Sequence, residues 1–129
     1  MGDVNALIID DNAKNVDVLA RLLAAEGVSS DKVTNPGELE TMLDRINQID
    51  IVFLDLELPG TDGYQILAWL KSDQRFQTVP VVAYTVHVSE INVAHQQGFD
   101  SFLGKPIRYD RFPSQLRRIL RGEQVWETA

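Results

Sequence analysis

The sequence predicts an α/β fold: a doubly wound parallel sheet of five strands with five helices on its two faces. Short apolar runs alternate with segments of helical periodicity along the whole chain. The run at 51–54 is apolar without a break, which is typical of a central parallel strand covered on both faces. We expect one domain over residues 1–121, followed by a short tail at 122–129.

The first strand and helix are predicted at 6–10 and 14–26. The strand is apolar up to its final aspartate. The helix is predicted because apolar residues recur on one of its faces, at Val16, Leu19, Ala20 and Leu23. Gly27 is a typical residue for ending such a helix.

The second strand, at 28–34, is polar and therefore better suited to an edge of the sheet than to its centre. A second helix is predicted at 36–46. Asn35 is suited to cap it and Pro36 to occupy its first turn, where a missing N–H costs nothing.

The third strand is predicted at 50–55 and is followed at 58–63 by residues typical of turns, Leu-Pro-Gly-Thr-Asp-Gly. A helix at 64–73 follows and should bury its apolar face, formed by Ile66, Leu67 and Leu70.

The last two strands are predicted at 79–85 and 101–104, on either side of a short helix at 89–97 that Gly98 ends. The closing helix is predicted at 109–121. Its inward side chains are Phe112, Leu116, Ile119 and Leu120.

Composition argues against several classes of function. The formal net charge is −7, whereas a protein that binds nucleic acid in general needs a basic surface. The chain has no cysteine and therefore no disulfide or thiolate chemistry. No apolar run approaches the roughly 20 residues of a membrane span, and no signal peptide is evident. We expect a cytoplasmic protein that contacts neither nucleic acid nor membrane.

Two features of the C-terminal region leave alternatives open. Five arginines lie between Arg108 and Arg121, either as a solvated helix face or as a docking face for an acidic partner. Val125 and Trp126 in the tail either pack back on the domain or serve a contact with another protein.

Charged residues stand where three of the apolar runs stop. Asp10 and Asp11 follow the first strand, Asp55 closes the third, and Lys105 follows the fifth. The carboxyl ends of parallel strands share one edge of a sheet, so these side chains should meet there. Clustered carboxylates repel each other unless a cation lies among them, and Mg²⁺ prefers such oxygen ligands. The sequence therefore predicts an acidic, metal-binding pocket facing a lysine, which suits a phosphoryl group.

Four motifs in this order resemble the receiver (CheY-like) domain of two-component response regulators over about residues 4–121. They are the acid pair Asp10-Asp11, Asp55 within the segment 53–63, Thr85, and Lys105-Pro106. The resemblance implies a flavodoxin-like strand order, 2-1-3-4-5.

In that family, the residue at the position of Asp55 accepts a phosphoryl group from a histidine kinase or a histidine phosphotransfer protein. The resemblance implies that Asp11, Asp55 and the backbone carbonyl of Glu57 contact Mg²⁺, for which Mn²⁺ can substitute. Asp10 would act on the metal through water.

The other implied roles concern the phosphoryl oxygens and the response to them. Lys105, the Thr85 hydroxyl and the Val86 backbone N–H would contact those oxygens. Pro106 would hold the loop of Lys105 through a cis peptide bond. Thr85 and Phe102 would form the switch.

Three residues that border the acceptor are expected to set the lifetime of the phosphorylated state: Glu57, Val86 and His87. The switch would change a surface made of the fourth helix, fifth strand and fifth helix. That surface would bind a downstream protein, and a homodimer through it is among the expected partners. His95 is expected to be a solvated helix residue.

Each motif alone has a plainer explanation. The acid pair could cap the first helix, Asp55 could form a turn, and Thr85 and Lys105-Pro106 could be an ordinary strand and loop.

A magnesium-dependent phosphohydrolase with an aspartyl-phosphate intermediate is the alternative function, although Glu57 stands where haloacid-dehalogenase enzymes carry an aspartate. A flavodoxin-type FMN carrier would share the fold. A stand-alone regulator is favoured over a piece of a larger one.

Overall fold

The structure, a computed structural model, describes residues 3–128. Its main sheet has six parallel strands in the order β2-β1-β3-β4-β5-β6. The predicted doubly wound sheet and the order of its first five strands are confirmed, and a sixth strand is added by the tail. The strands are β1 Val4–Ile9, β2 Val28–Val33, β3 Ile51–Asp55, β4 Val81–Thr85, β5 Ser101–Gly104 and β6 Trp126–Glu127.

Five α-helices alternate with these strands within residues 3–128. They are α1 Ala13–Ala25, α2 Leu39–Arg45, α3 Gly63–Ser72, α4 Ile91–Gln97 and α5 Phe112–Leu120. The second begins at Leu39 instead of 36 and the fourth at Ile91 instead of 89, because single 3₁₀ turns, Pro36–Glu38 and Val88–Glu90, precede them. A short antiparallel hairpin of Glu57–Leu58 and Thr61–Asp62 follows β3.

The core lies in two layers, one on each face of the sheet. Side chains of α1 and α5 pack on one face, and side chains of α2, α3 and α4 pack on the other. Successive residues of β1 alternate between the layers, Ile8 toward α1 and α5 and Ile9 toward the opposite layer. All residues of β3 and β4 are buried, as the apolar sequence of these strands predicts.

The closing helix starts at Phe112, not at residue 109 as predicted. Pro113 lies in its first turn, where no intrahelical N–H bond is needed. A start at 109 would place this proline inside the helix, where its ring and its missing N–H disrupt the backbone. The chain instead turns here, with the N–H groups of Arg111 and Phe112 both donating to the carbonyl of Arg108.

No helix within residues 3–128 has the length and apolar character required to cross a membrane.

Candidate functional site

Three carboxylates meet at the carboxyl edge of the sheet. Ile9 of β1 is paired with Leu54 of β3, so the residues that follow them, Asp10 and Asp55, are neighbours. Asp10, Asp11 and Asp55 each offer an oxygen, and these atoms lie within 4.8 Å of one another. The structure thus brings together the acidic residues that the sequence predicted to meet.

Lys105 completes this cluster from the end of β5. Its backbone N–H donates to the carbonyl of Thr85 (2.8 Å), which fixes where the side chain leaves the sheet. Its Nζ lies 3.2 Å from Asp10 Oδ2 and 3.3 Å from Asp55 Oδ2. One largely buried ammonium group therefore faces two carboxylates. The peptide bond between Lys105 and Pro106 is cis.

Asp10 is fully buried, and both of its oxygens accept hydrogen bonds. Oδ1 accepts from the Asn12 backbone N–H (2.9 Å), and Oδ2 accepts from the Tyr84 hydroxyl (2.7 Å) as well as from Lys105. Burial raises the pKa of Asp10, but these hydrogen bonds and the lysine charge outweigh it and leave the pKa below the ordinary value. Asp10 therefore stays ionised.

Asp55 behaves in the opposite way, although it shares the same lysine. Burial raises its pKa to about 7, aided by the negative charge of Asp10, and the attraction of Lys105 only partly opposes this. Asp55 Oδ1 also accepts from the Glu57 N–H (2.9 Å), which is a turn contact. The turn-forming explanation of Asp55 is thus correct locally and compatible with a chemical role.

The explanation of Asp10 and Asp11 as the cap of α1 is wrong. Asn12 caps the helix, because its Oδ1 accepts from the N–H groups of Lys14 (3.0 Å) and Asn15 (3.1 Å). Asp10 contacts Tyr84 and Lys105 instead, and Asp11 is exposed.

Tyr84 belongs to the site and was missed by sequence reasoning. Its ring packs edge-on against Phe53 (centroids 6.3 Å apart), and Lys105 Nζ lies 4.3 Å from its centroid. Tyr84 is opposite Asp55 in the ladder, and its hydroxyl reaches Asp10. A tyrosine in an otherwise apolar strand was the available signal, because a buried hydroxyl needs a partner.

The residues that follow β4 line the other side of the cluster. Thr85 is buried, and its Oγ1 accepts from the His87 N–H (3.1 Å), which leaves its own hydroxyl hydrogen available as a donor. Val86 is 58% exposed. The His87 imidazole contacts the Glu57 carboxylate, so that the segments after β3 and β4 are joined beside Asp55.

Phe102, the predicted switch aromatic, is fully buried in β5. It belongs to the apolar layer that includes Ala94 of α4 and Phe99, and Trp126 of the tail packs against that layer. Phe102 and Trp126 are opposite each other in the β5–β6 ladder.

The donor set fits a hard divalent cation. Carboxylate oxygens are the ligands that Mg²⁺ takes, and it uses few of them because it keeps several waters. Asp11 is exposed and Asp55 lies beside it, whereas both oxygens of Asp10 are already hydrogen-bonded by the protein. Asp11 and Asp55 could therefore hold such a cation directly, with Asp10 behind them.

Comparisons with known proteins agree with this geometry. The family model described as response regulator receiver domain matches residues 6–117. The polar-differentiation response regulator DivK of Brucella anthropi is 28% identical over 119 residues, covering 90% of this chain and 95% of DivK.

Two solved structures show the same fold. A putative response regulator from Chloroflexus aurantiacus has a TM-score of 0.83 at 22% identity, covering 93% of this chain and 99% of its own. The chemotaxis response regulator CheY4 of Vibrio cholerae has a TM-score of 0.81 at 16% identity, covering 92% of this chain and 99% of its own.

Proposed function

Because this chain belongs to the response regulator receiver domains of two-component systems, we propose that it is a switch in which Asp55 accepts a phosphoryl group. The observation that carries the proposal is the position of Lys105 Nζ, 3.3 Å from Asp55 Oδ2, in a cluster of three carboxylates at the carboxyl edge. The donor would be a phosphohistidine on a histidine kinase or a histidine phosphotransfer protein.

In the transfer, a carboxylate oxygen of Asp55 bonds to phosphorus while the bond from phosphorus to the donor imidazole breaks. The electron pair of that bond returns to the imidazole nitrogen. Asp55 must be ionised to attack, and its raised pKa of about 7 opposes ionisation in the metal-free protein. A cation beside Asp55 would favour the reactive, charged form.

We assign Mg²⁺, or Mn²⁺ in its place, to Asp11, Asp55 and the backbone carbonyl of Glu57, with Asp10 acting through water. The bound ion would supply positive charge that offsets the charge on the transferring group. Asp10 would support this arrangement from behind, because Asn12 and Tyr84 fix its carboxylate.

Three groups of the protein would contact the phosphoryl oxygens. Lys105 would move its ammonium group from the Asp55 carboxylate to those oxygens. The Thr85 hydroxyl would donate a hydrogen bond, which its acceptor role toward His87 leaves free. The Val86 backbone N–H would be the third donor.

Phosphorylation would shift the populations of two states through Thr85 and Phe102. The surface of α4, β5 and α5 would then change its affinity for a downstream protein. A homodimer through this surface would also have to accommodate β6, because β6 covers the edge of β5.

The lifetime of the phosphorylated state would depend on access of water to Asp55. The contact between Glu57 and His87 and the exposed side chain of Val86 border that approach. We propose that these three residues control water entry by bulk and charge.

Acetyl phosphate with Mg²⁺ tests the proposal. Intact mass should show one added phosphoryl group on the wild-type protein and none on Asp55→Asn. Asp62→Asn is the matched control, because Asp62 is exposed, caps α3 and lies on the same connection, so that variant should be labelled like the parent. Labelling of Asp55→Asn equal to the parent would contradict the assignment.

The same assay addresses the alternative function. A switch should accumulate stoichiometric label and release phosphate only as slowly as its phosphorylated state decays, whereas a phosphohydrolase should release phosphate rapidly without accumulating label. Bound yellow flavin would instead indicate the FMN carrier.

A further inference from the structure

The C-terminal tail occupies the free edge of β5. Trp126 is paired with Phe102 and Glu127 with Leu103, both in parallel register. The Phe102 N–H donates to the carbonyl of Val125 (2.7 Å), and the Val125 N–H donates to the fully buried Ser101 Oγ (2.9 Å). The tail is therefore bound through its backbone, as an added strand.

Side chains of the tail alternate between the two layers. Val125 is buried in the layer of α1 and α5, whereas Trp126 packs against the opposite layer. The indole ring meets His95 of α4 edge-on, with centroids 4.7 Å apart. His95 is exposed, as expected, but its ring forms one wall of this aromatic site.

The next residue, Glu127, binds α5 through its carboxylate. Gln115 Nε2 donates to Oε1 (2.9 Å), and Arg118 Nη1 donates to Oε2 (3.3 Å). Gln115 is 6% exposed, so this amide depends on a partner from the chain. The arginine-rich helix thus uses one of its guanidinium groups to hold an acidic residue.

We propose that the face of α4, β5 and α5 binds an extended segment of a protein target that is added parallel to β5 in place of the tail. That segment would carry an apolar residue, an aromatic residue and a carboxylate in succession. Residues 125–127, Val-Trp-Glu, are the tethered form of this ligand. This proposal extends the proposed function. It rests on that function only in taking the face of α4, β5 and α5 as the surface that binds targets.

Exchange of the tail for a target has a physical basis. Opening of β6 leaves the Phe102 N–H, Ser101 Oγ and the Gln115 amide without partners, and unpaired buried polar groups are costly. A target strand of the same chemistry restores all three contacts. The tail strand β6 is only two residues long. Its binding to β5 therefore depends on the high effective concentration that follows from its covalent link to the domain.

A labelled peptide of residues 123–128 provides the probe, and fluorescence anisotropy measures its binding to the full chain. The wild-type protein should bind it weakly, because the tethered tail competes. The Trp126→Ala protein should bind it about tenfold more tightly or better, since the intramolecular competitor is weakened. Glu127→Gln, a milder change, should give a smaller gain in the same direction.

Peptide variants test the chemistry of the ligand. A peptide with Ile-Phe-Asp in place of Val-Trp-Glu should still bind the Trp126→Ala protein, whereas peptides with Val-Ala-Glu or Val-Trp-Gln should bind several-fold more weakly. Protein carrying Glu40→Gln serves as the control, because Glu40 is an exposed residue of α2, a helix that does not contact the tail within residues 3–128. It should bind the peptide like the wild type.

Binding is measured without phosphorylation and is repeated in Asp55→Asn protein, so that failure of phosphotransfer cannot imitate failure of this proposal. Equal affinity of the peptide for the wild-type, Trp126→Ala and Glu127→Gln proteins would overturn it. Binding of a scrambled peptide as tight as that of the parent would do the same. If light scattering shows that the wild-type protein is a dimer and that Trp126→Ala abolishes the dimer, the face would instead be assigned to the exchanged tail of a second copy.

Discussion

The acidic cluster and the tail strand both contact β5, but different forces hold them. The cluster joins Asp10, Asp55 and Lys105 from three separate strands, and its charges are largely withdrawn from water. The tail joins neighbouring parts of the chain through a short ladder and a half-exposed ion pair between Glu127 and Arg118. Charges in the cluster should therefore matter far more to stability than charges in the tail.

The acidic cluster suits a chemical reaction, whereas the tail strand suits recognition of another segment. In the cluster, two carboxylates share one ammonium group, and burial with their mutual repulsion raises the pKa of Asp55 while hydrogen bonds and Lys105 keep the pKa of Asp10 below its ordinary value. In the tail, backbone pairing and one aromatic contact make a weak attachment that can open locally. A reactive site benefits from the first arrangement, and an exchangeable surface benefits from the second.

The largest expected effect is the dependence of stability on Asp55 and pH. The pKa of Asp55 is raised from 3.8 to about 7, so between these values the folded protein holds a proton that the unfolded chain has released. The free energy of unfolding should therefore fall as pH rises through this interval. Asp55→Asn should remove the fall and stabilise the metal-free protein near pH 8 by up to about 4 kcal/mol.

Urea denaturation in the presence of a chelator, from acidic to mildly alkaline pH, measures this effect. Asp62→Asn, the exposed control, should keep the slope of the parent. A wild-type protein whose stability is flat across the interval would contradict the charge balance described for the cluster. Mg²⁺ should restore stability at high pH in the wild type more than in Asp55→Asn.

An intermediate effect is expected at Tyr84. Tyr84→Phe keeps the ring beside Phe53 and Lys105 but removes the hydroxyl that donates to Asp10 Oδ2. Loss of a hydrogen bond to a buried charge should cost about 1.5–3 kcal/mol of unfolding free energy. Thermal and chemical denaturation measure it.

Tyr64→Phe is the matched control for Tyr84→Phe. The Tyr64 hydroxyl also donates to a carboxylate, Glu90 Oε2 (2.7 Å), but this pair is only part-buried, and its removal should cost about 1 kcal/mol or less. If Tyr84→Phe and Tyr64→Phe lose equal unfolding free energy, burial does not make the hydrogen bond of Tyr84 to Asp10 stronger than the part-buried bond of Tyr64 to Glu90.

The smallest effect is expected in the tail. Glu127→Gln keeps an acceptor for Gln115 but removes the charge that faces Arg118, so global stability should change by about 0.5 kcal/mol or less. Hydrogen exchange at the Phe102 N–H should nevertheless become several-fold faster, because that group is protected by Val125. Glu40→Gln, a change at an exposed residue of α2, should leave this exchange unchanged. An unchanged rate in Glu127→Gln would show that the ion pair does not hold the strand.

The same contrast explains what the sequence could predict. Apolar runs define four of the five predicted strands, whereas β2 is polar and suits the edge of the sheet. A charged residue at the end of a buried run, such as Asp55, identifies an edge where ligands bind. The contact of Tyr84 with Asp10 depends on the lateral order of three strands, and a strand tyrosine alone does not specify its partner. The two-residue strand β6 is too short to show a period, so that its place beside β5 is set by tertiary packing.

The paired tail restricts which residue can replace Gly104 during the evolution of this chain. A Cβ atom at this position would overlap with the carbonyl group of Thr128 and would press against Val88 Cγ1, so a side chain at position 104 requires the tail to move away and Val88 to adjust. Substitutions at position 104 and changes in the tail should therefore be epistatic. Gly104→Ala should be costly while the tail is paired with β5 and less costly in a variant whose tail no longer pairs. Replacement of the glycine should therefore be easier once the strand is lost.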